Sequence, residues 1–158
     1  MNRFIDRYER LFMYITLAVL MAFMTALVLS ATTENIHLQS DDGSIDATAV
    51  RSTAPFDAPG VYEVGPGRYQ AVLIAKAWAF EPAEVRVPAG SEVEFIMTSQ
   101  DVIHGFMIPE TRVNAMVIPG RITRVTQTFD EPGEHNLICH EFCGIGHQGM
   151  YGTLVVEG

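Results

Sequence analysis

The sequence predicts an all-β domain, a β-sandwich or barrel, attached to a membrane by one N-terminal transmembrane helix. Three observations lead to this prediction. They are a long uncharged apolar run near the N-terminus, a succession of short strand patterns separated by turn signals, and the lack of a useful helical pattern after the apolar run. At 158 residues the chain has room for one domain of ordinary size and a short appendage.

The apolar run covers residues 11–31 and contains no charged side chain. Its 21 residues, rising about 1.5 Å each, span the roughly 30 Å hydrocarbon core of a bilayer. A cleaved signal peptide is the alternative, because Ser30, Ala31 and Thr32 offer a small-residue cleavage site. The apolar stretch of a signal peptide is shorter, however, at about 7–15 residues. We therefore predict a transmembrane helix over residues 11–31.

The charges that flank this helix predict its orientation. Arg3, Arg7 and Arg10 precede it, whereas the chain after it is rich in Asp and Glu. Lys and Arg next to a membrane helix are retained on the cytoplasmic side. Residues 1–10 are therefore expected to be cytoplasmic, and the rest of the chain extracytoplasmic, in a single-pass protein of a bacterial or archaeal cell membrane.

The part of the chain beyond the helix is acidic. Residues 32–158 hold seven Lys and Arg against seventeen Asp and Glu, a net charge of −10 with neutral His. This charge argues against a nucleic-acid partner, whose phosphates need a basic surface. It suits a basic protein partner that is steered by charge. It suits equally well a solvated surface that only keeps the domain soluble.

Residues 32–67 are predicted to be an extracytoplasmic tether, because they are dense in Ser, Thr, Asp, Pro and Gly and show no sustained hydrophobic period. The folded domain is expected over residues 68–158, where Pro-Gly pairs at 119–120 and 132–133 mark turns. Its clearest strand pattern is Glu92–Met97, in which polar and apolar residues alternate. The predicted strands are Tyr69–Lys76, Ala83–Val87, Glu92–Met97, Val102–Ile108, Val113–Ile118, Ile122–Phe129, Glu134–Cys139 and Tyr151–Val156.

Between the last two strands, four residues form the pattern C-x3-C-x3-H-x2-M: Cys139, Cys143, His147 and Met150. Thiolate, imidazole and thioether are donors that copper favours. The same spacing would line one face of a helix, so a buried helical stripe is an alternative. Glycines at 144, 146 and 149 oppose it, since each costs about 1 kcal/mol in a helix interior. They favour a tightly curled loop that brings the four side chains together.

Two other interpretations of this segment stay open. A Cys139–Cys143 disulfide would suit an extracytoplasmic domain, but it would close a very small loop, and small loops gain least from cross-linking. A zinc site with two Cys and two His is the stronger rival, although zinc leaves Met150 without a role. Copper is the favoured interpretation.

A second histidine ligand must come from elsewhere in the chain. His135 precedes Cys139 by four residues of strand, about 13 Å, which is too far for one metal cluster. His140 adjoins Cys139, so its side chain should point to the opposite face, and His37 lies in the predicted tether. His104, in a distant strand, is therefore expected to cross the sandwich and meet the loop.

These residues resemble a known family. Residues 68–157 resemble the CuA domain of subunit II of haem-copper cytochrome c oxidases, which implies a cupredoxin-like Greek-key fold. The single membrane helix and the stretch Ala77–Phe80 resemble the single-anchor B-type, or ba-type, branch. The matching segments are Asp101–Phe106, Ile118–Arg121, Pro132–Glu134 and the loop over residues 139–150.

The resemblance implies a centre of two copper ions that share two bridging thiolates. Each ion would be completed by one histidine and one further donor. The side chain of Glu141 would also reach a magnesium ion at the interface with the catalytic subunit. The implied copper ligands are the bridging Cys139 and Cys143, with His104 and Met150 on one ion and His147 and the backbone carbonyl of Glu141 on the other.

The chain would then be the electron-accepting subunit of a terminal oxidase. A c-type cytochrome or a small copper protein would give single electrons to the copper centre, which would forward them to haem in subunit I, where oxygen is reduced. Trp78 and Phe80 are candidates for the surface point at which the electron enters, and equally for ordinary packing. Asp101 would orient His104 or simply form a turn. A CuA-bearing subunit of a nitric oxide reductase and a non-catalytic copper-binding protein are the alternatives.

Overall fold

The computed structural model describes residues 3–33 and 42–158, and their contacts separate a helix from a β domain. Residues 1–2 of the predicted cytoplasmic N-terminus lie outside the described residues. The same holds for residues 34–41 of the predicted tether, and therefore for His37.

Helix α1 runs from Arg3 to Thr33 and contains the whole predicted span 11–31. The side chains of residues 6–33 are exposed, and the segment Asp6–Thr33 is long and apolar enough to cross a membrane. The hydroxyls of Thr25 and Thr33 bond to carbonyls one turn earlier, which satisfies polar groups inside the apolar segment. An apolar helix of this length, with its backbone hydrogen-bonded internally, suits a lipid environment.

The described part of the β domain contains ten strands in two sheets. The strands are β1 (Gly60–Gly65), β2 (Arg68–Lys76), β3 (Ala79–Glu81), β4 (Glu84–Pro88), β5 (Ser91–Ser99), β6 (His104–Met107), β7 (Asn114–Val117), β8 (Thr123–Phe129), β9 (Gly133–Ile138) and β10 (Tyr151–Glu157). The first sheet has the order β1-β2-β5-β8, with β3 paired to β2, and the second has the order β4-β10-β9-β6-β7. The β2–β5 and β4–β10 pairs are parallel and the other pairs are antiparallel.

Side chains from both sheets meet in one apolar core. On β5, Val93, Phe95 and Met97 all lie in this core, as the alternation predicts. Phe106 of the second sheet packs against Phe95 and Phe80 of the first, with ring centroids 5.3 and 5.4 Å away. The inward-facing residues of two sheets therefore build a sandwich, and the predicted all-β architecture is confirmed.

The predicted strands are present with small differences at their ends. The strand predicted over Val102–Ile108 begins later, at His104, because Asp101 accepts a hydrogen bond from the Val102 amide and forms a turn there. The sequence pattern does not predict β1 or β3. Strand β3 has three residues, and β1 is an edge strand with few buried side chains, so neither has a strong hydrophobic period.

The structure differs from the predicted tether over residues 42–67. Strand β1 occupies part of that range, and residues 42–59, which we call the strap, pack on the first sheet. The strap forms a 3-10 turn at Val50–Ser52 and buries Phe56 completely. Isolated apolar residues in a polar segment produce no period, which is why the sequence indicates a tether here. The side chains of this second cluster are Ile45, Val50, Phe56, Val72, Ile74 and Ile96.

Candidate metal centre

The loop over residues 139–150 connects β9 to β10 and carries five of the six predicted donors, four side chains and the Glu141 carbonyl. Its two ends are joined by a hydrogen bond from the Cys139 amide to the Met150 carbonyl. Within it, a 3-10 turn covers His147–Gly149, and Gly144 has a φ of +118°. That backbone conformation strongly favours glycine. The segment is a closed loop, so the alternative of a helical core stripe is wrong.

The two cysteine side chains face each other inside this loop. Their Sγ atoms lie 3.8 Å apart, whereas a disulfide requires about 2.05 Å. Both cysteines are free and buried. A metal ion with metal–sulfur bonds of about 2.3 Å can contact both atoms at this separation. The geometry is therefore that of a thiol pair prepared for a metal, and the disulfide interpretation is not supported.

The remaining predicted donors surround the two sulfurs. The Cys143 Sγ lies 3.5 Å from the His147 Nδ1 and 3.6 Å from the Met150 Sδ. The Cys139 Sγ lies 3.3 Å from the Glu141 carbonyl oxygen and 3.9 Å from the His104 Nδ1. The structure thus brings together the donors that the sequence proposes: His104, Cys139, Glu141 (through its carbonyl), Cys143, His147 and Met150.

His104 reaches the centre from a neighbouring strand and not, as expected, from across the sandwich. Strand β6 lies beside β9 in the second sheet, where Met107 pairs with Ile138. The imidazole of His104 is completely buried. Its Nε2 lies 2.8 Å from the Asp101 Oδ1, which leaves Nδ1 directed at the Cys139 sulfur. A carboxylate on the outer nitrogen is the usual way to orient a metal-binding histidine.

Asp101 is held as a carboxylate by several donors. It accepts hydrogen bonds from the backbone amides of Ala77 and Val102 in addition to its contact with His104. Burial alone would raise the pKa of Asp101, but these hydrogen bonds outweigh it and leave the pKa below its ordinary value. Asp101 therefore orients His104, which the sequence could offer only as one of two interpretations.

Burial also changes the chemistry of the Cys143 thiol. Removal from water, followed by the neighbouring Cys139, raises the pKa of the Cys143 thiol to about 11. At neutral pH this thiol is protonated before a metal arrives. Because a thiolate is the form that binds metal, loading of the centre must release a proton.

The two remaining histidines of the described domain take no part in this cluster. His135 packs against the ring of Phe129, with centroids 5.8 Å apart, in a groove next to Glu110 and Asp130. The ring of His140 lies flat on Gly105, where an added Cβ would be 2.6 Å from the imidazole. The sequence argues against both as ligands, and the cluster of His and Cys donors found among the described residues, His104, Cys139 and Cys143, contains neither of them.

Trp78 connects the surface of the domain to the metal loop. Its side chain is 45% exposed, and its indole Nε1 donates a hydrogen bond of 3.2 Å to the Cys143 carbonyl. The indole also covers Gly144 and Gly146. These glycines therefore have a second reason to be glycine, the close approach of Trp78, which the sequence alone does not reveal.

Phe80, the other candidate for electron entry, lies in the core of the domain. Its side chain is 2% exposed and its ring packs edge-on against Phe106 in the core. Of its two interpretations, ordinary packing therefore fits Phe80, and a surface point for the incoming electron does not. On a strand, neighbours at i and i+2 share a face, but Trp78 precedes β3 and lies outside its register.

Replacement of Gly146 by Ala is expected to displace Trp78. The new methyl group would overlap the indole, and overpacking of this kind costs about 1–3 kcal/mol. Trp78 is the single tryptophan of the chain, so its fluorescence reports the change directly. We expect a red-shifted emission and stronger quenching by acrylamide in the full chain.

Gly149→Ala is the matched control for this substitution. Gly149 lies in the same loop, but an added Cβ would meet no heavy atom within 4 Å. Its fluorescence should match that of the unchanged chain. If Gly146→Ala and Gly149→Ala behave alike, the indole does not lie where we describe it.

Exposed apolar side chains on and beside the metal loop form what we call the apolar rim. Phe142 and Ile145, within the loop, are 80% and 89% exposed, and Trp78 and Tyr151 are its other members. Large exposed apolar side chains grouped around one site indicate a surface that contacts another protein. The sequence pattern did not identify this rim, because exposure within a loop cannot be read from spacing.

Comparison with known proteins places the chain among respiratory oxidase subunits. The family profile described as the periplasmic domain of cytochrome c oxidase subunit II matches residues 78–158. A cytochrome c oxidase subunit 2 of Thermus thermophilus is 38% identical over 154 residues, which is 95% of this chain and 92% of that protein. Heme-copper oxidase subunit 2 of Aeropyrum pernix is 44% identical over 72 residues, 44% of this chain and 31% of that protein.

Solved structures agree with the sequence comparison. A chain of a heme-copper terminal oxidase dimer, determined by cryo-electron microscopy, is 32% identical with a TM-score of 0.76 and covers 95% of this chain and 99% of that chain. The periplasmic domain of subunit II of a cytochrome oxidase from Bradyrhizobium japonicum, at 22% identity and a TM-score of 0.52 over 55% of this chain and 82% of that chain, shares the fold. The predicted fold class, an all-β cupredoxin-like Greek-key sandwich with one N-terminal apolar helix, is confirmed.

Proposed function

Because the chain belongs to the cytochrome c oxidase subunit II family, we propose that its metal centre holds two copper ions. Bound copper would supply one-electron redox chemistry, and the chain would thereby relay single electrons from a c-type cytochrome to haem in subunit I. The chain is a membrane-anchored subunit of a haem-copper oxidase complex, and the reduction of oxygen takes place in another subunit. The observation that carries the proposal is the grouping of six copper-compatible donors, in which two adjacent cysteine sulfurs have four further donor atoms within 3.9 Å of one or the other.

The donor set fits copper better than zinc. Two thiolates and a thioether are soft donors, and two imidazoles also suit copper, so the thioether of Met150 has a use in a copper site. The buried sulfur of Met150 lies 3.6 Å from Cys143. Cys139 and Cys143 would hold two copper ions together, with His104 and Met150 completing one ion and His147 and the Glu141 carbonyl completing the other.

The chain contributes a rigid set of donors to this centre. Bound copper supplies one-electron redox chemistry, and the protein keeps the donor atoms in place in both oxidation states. Asp101 orients His104, and hydrogen bonds within the loop hold His147 and Met150. A site whose donors are locked by surrounding contacts needs little rearrangement when its charge changes.

Electrons are proposed to enter through Trp78. Its exposed edge reaches the surface, and its indole nitrogen bonds to the carbonyl of Cys143, one of the two bridging residues. This is a direct route from the apolar rim to a metal-bound sulfur. The net charge of −10 beyond the helix would attract a basic cytochrome or small copper protein from a distance, and the rim would provide the contact.

Glu141 is proposed as a ligand for magnesium at the boundary with subunit I. Its carbonyl points at Cys139, while its carboxylate is half-exposed and lies 3.9 Å from the His140 Nδ1. A carboxylate that remains open to the outside is available to a hard cation such as magnesium. One residue would then serve two metals with two different oxygen atoms.

The proposed orientation places the N-terminus in the cytoplasm and the metal domain outside the cell membrane. Its support is the set of three arginines before the apolar helix and the acidic chain after it. Electrons would then arrive from a donor on the outer side of the membrane.

The test of the function is the spectrum of the copper-loaded full chain. We expect two copper ions per chain, a purple colour and an electron paramagnetic resonance pattern of one electron shared by two copper nuclei. A colourless product with one zinc ion would exclude the proposal. A pattern from a single copper nucleus would show that the centre is mononuclear and would refute the shared thiolates.

A further inference from the structure

Arg51 of the strap contacts two turns that reach toward the metal centre. The first, which we call the Trp78 turn, covers residues 76–81 and includes the short strand β3, and the second, the Asp101 turn, covers residues 99–104. Both turns lie at the same end of the first sheet, after β2 and β5, which pair in parallel. The side chain of Arg51 contacts one residue of each turn, Glu81 and Gln100.

The guanidinium of Arg51 uses three nitrogens in this contact. Its Nη1 and Nη2 donate to the two carboxylate oxygens of Glu81, at 3.1 and 2.6 Å. Its Nε donates to the Gln100 side-chain oxygen at 3.1 Å. A bidentate pair with a further hydrogen bond fixes position as well as distance. Arg51 thus joins the Trp78 turn to the Asp101 turn.

The charge on Glu81 persists at physiological pH. The hydrogen bond from Arg51, followed by that from Lys76, lowers the pKa of Glu81 to about 2 from an ordinary value of 4.5. Since the folded pKa is depressed, the contact is complete above about pH 4.5 and is lost as the pH falls toward 2. Arg51 and Glu81 therefore remain paired at neutral pH.

Each turn carries one side chain that forms a hydrogen bond to a residue of the metal centre. From the first, Trp78 bonds to the Cys143 carbonyl, and from the second, Asp101 bonds to His104. The turns also bond to each other, since the Ala77 amide donates to Asp101 at 2.6 Å. A displacement of one turn would therefore disturb both the Trp78–Cys143 and the Asp101–His104 hydrogen bonds.

We propose that Arg51 is a positioning residue for electron transfer into the copper centre. By joining the two turns it sets the place of the Trp78 indole on the metal loop and supports the orientation of His104. This inference depends on the proposed role of Trp78. Arg51 touches neither metal nor donor, and it acts through Glu81 and Gln100.

The contribution of Arg51 to overall stability should be small. Its side chain is 45% exposed and that of Glu81 is 32% exposed, and ion pairs open to solvent contribute little free energy. The positioning role of Arg51 can therefore be tested, because a variant that lacks Arg51 should remain folded while the placement of Trp78 changes.

The main experiment compares Arg51→Met with Arg68→Met in the complete oxidase. Arg68 also pairs with a carboxylate on a neighbouring strand, Glu92, but at the other end of β2. We expect Arg51→Met to slow reduction of the copper centre by a soluble reduced c-type cytochrome about tenfold, because a misplacement of ~1 Å can have effects of this order or larger. Copper content should be unchanged, and Arg68→Met should match the unchanged enzyme.

A second readout does not depend on electron transfer. In the full chain, acrylamide quenching of Trp78, the single tryptophan, should increase in Arg51→Met. Arg51→Lys keeps the charge but not the planar fork, so it should fold and bind copper normally and show an intermediate increase. A purely structural role would lower the unfolding temperature and leave both quenching and the reduction rate of the folded protein unchanged.

The outcomes separate this inference from the proposed function. If Arg51→Met matches Arg68→Met in both quenching and rate, the positioning role is refuted. If Trp78→Phe leaves the reduction rate unchanged, the proposed route through Trp78 is wrong, and increased quenching in Arg51→Met would then support a role in placing the indole only. If the copper-loaded unchanged chain shows no two-copper spectrum, the proposed function is refuted, whatever the two variants show.

Discussion

Replacement of Cys139 by Ser is expected to abolish the two-copper signal. The Cys139 sulfur lies within 3.9 Å of the Cys143 sulfur, the His104 Nδ1 and the Glu141 carbonyl oxygen. A serine hydroxyl is a hard donor that stays protonated at neutral pH, so it cannot replace a thiolate shared by two copper ions. Metal analysis and electron paramagnetic resonance of the copper-loaded full chain measure the loss.

His135→Ala is the control for this variant. His135 lies on β9, the strand that leads to Cys139, but its ring packs against Phe129 and not against the sulfurs. We expect its copper content and spectrum to match those of the unchanged chain. An unchanged spectrum in Cys139→Ser would show that Cys139 is not a ligand, and a lost spectrum in His135→Ala would show that the second histidine was wrongly assigned.

Replacement of Phe56 by Ala is expected to lower the free energy of unfolding of the β domain by about 3–5 kcal/mol, the usual cost of removing a buried aromatic ring. Phe56 has no exposed surface and packs with Val72, Ile74 and Ile96 on the face of the first sheet that points away from the main core. Chemical unfolding of the full chain, followed by the fluorescence of Trp78, measures the change.

Val64→Ala is the control, because Val64 also precedes residue 68 but is 51% exposed on an edge strand. Its effect should stay within about 0.5 kcal/mol. The two variants distinguish a packed strap from a free tether. In a free tether both substitutions would have the same small effect, whereas a packed strap requires that a stable fragment of the domain include residues 42–59.

The donor loop and the membrane helix could be predicted from the sequence because both depend on local features. The spacing of Cys139, Cys143, His147 and Met150, with three glycines among them, describes a loop that can curl around a metal. A charge-free run of the right length describes a helix that can span a bilayer. Neither depends on which distant segment packs against it.

His104 was only partly accessible to the same reasoning. The exclusion of His135 and His140 indicates His104 as the second histidine ligand. It does not predict from which strand position His104 reaches the loop. Strand order within a sheet is set by contacts between residues far apart in sequence, and only the structure shows β6 beside β9. The role of Asp101 depends on the same placement.

Spacing and composition are properties of short segments, so they predict the four side-chain donors of the 139–150 loop, their preference for copper and the apolar helix. The structure adds that the strap packs on the first sheet, that Phe80 is buried while Trp78 reaches both surface and loop, and that Arg51 joins two turns. The physical reason is that burial and side-chain pairing arise from contacts across the fold. A polar segment with one well-placed phenylalanine has no period to detect, yet that ring can pack it onto a sheet.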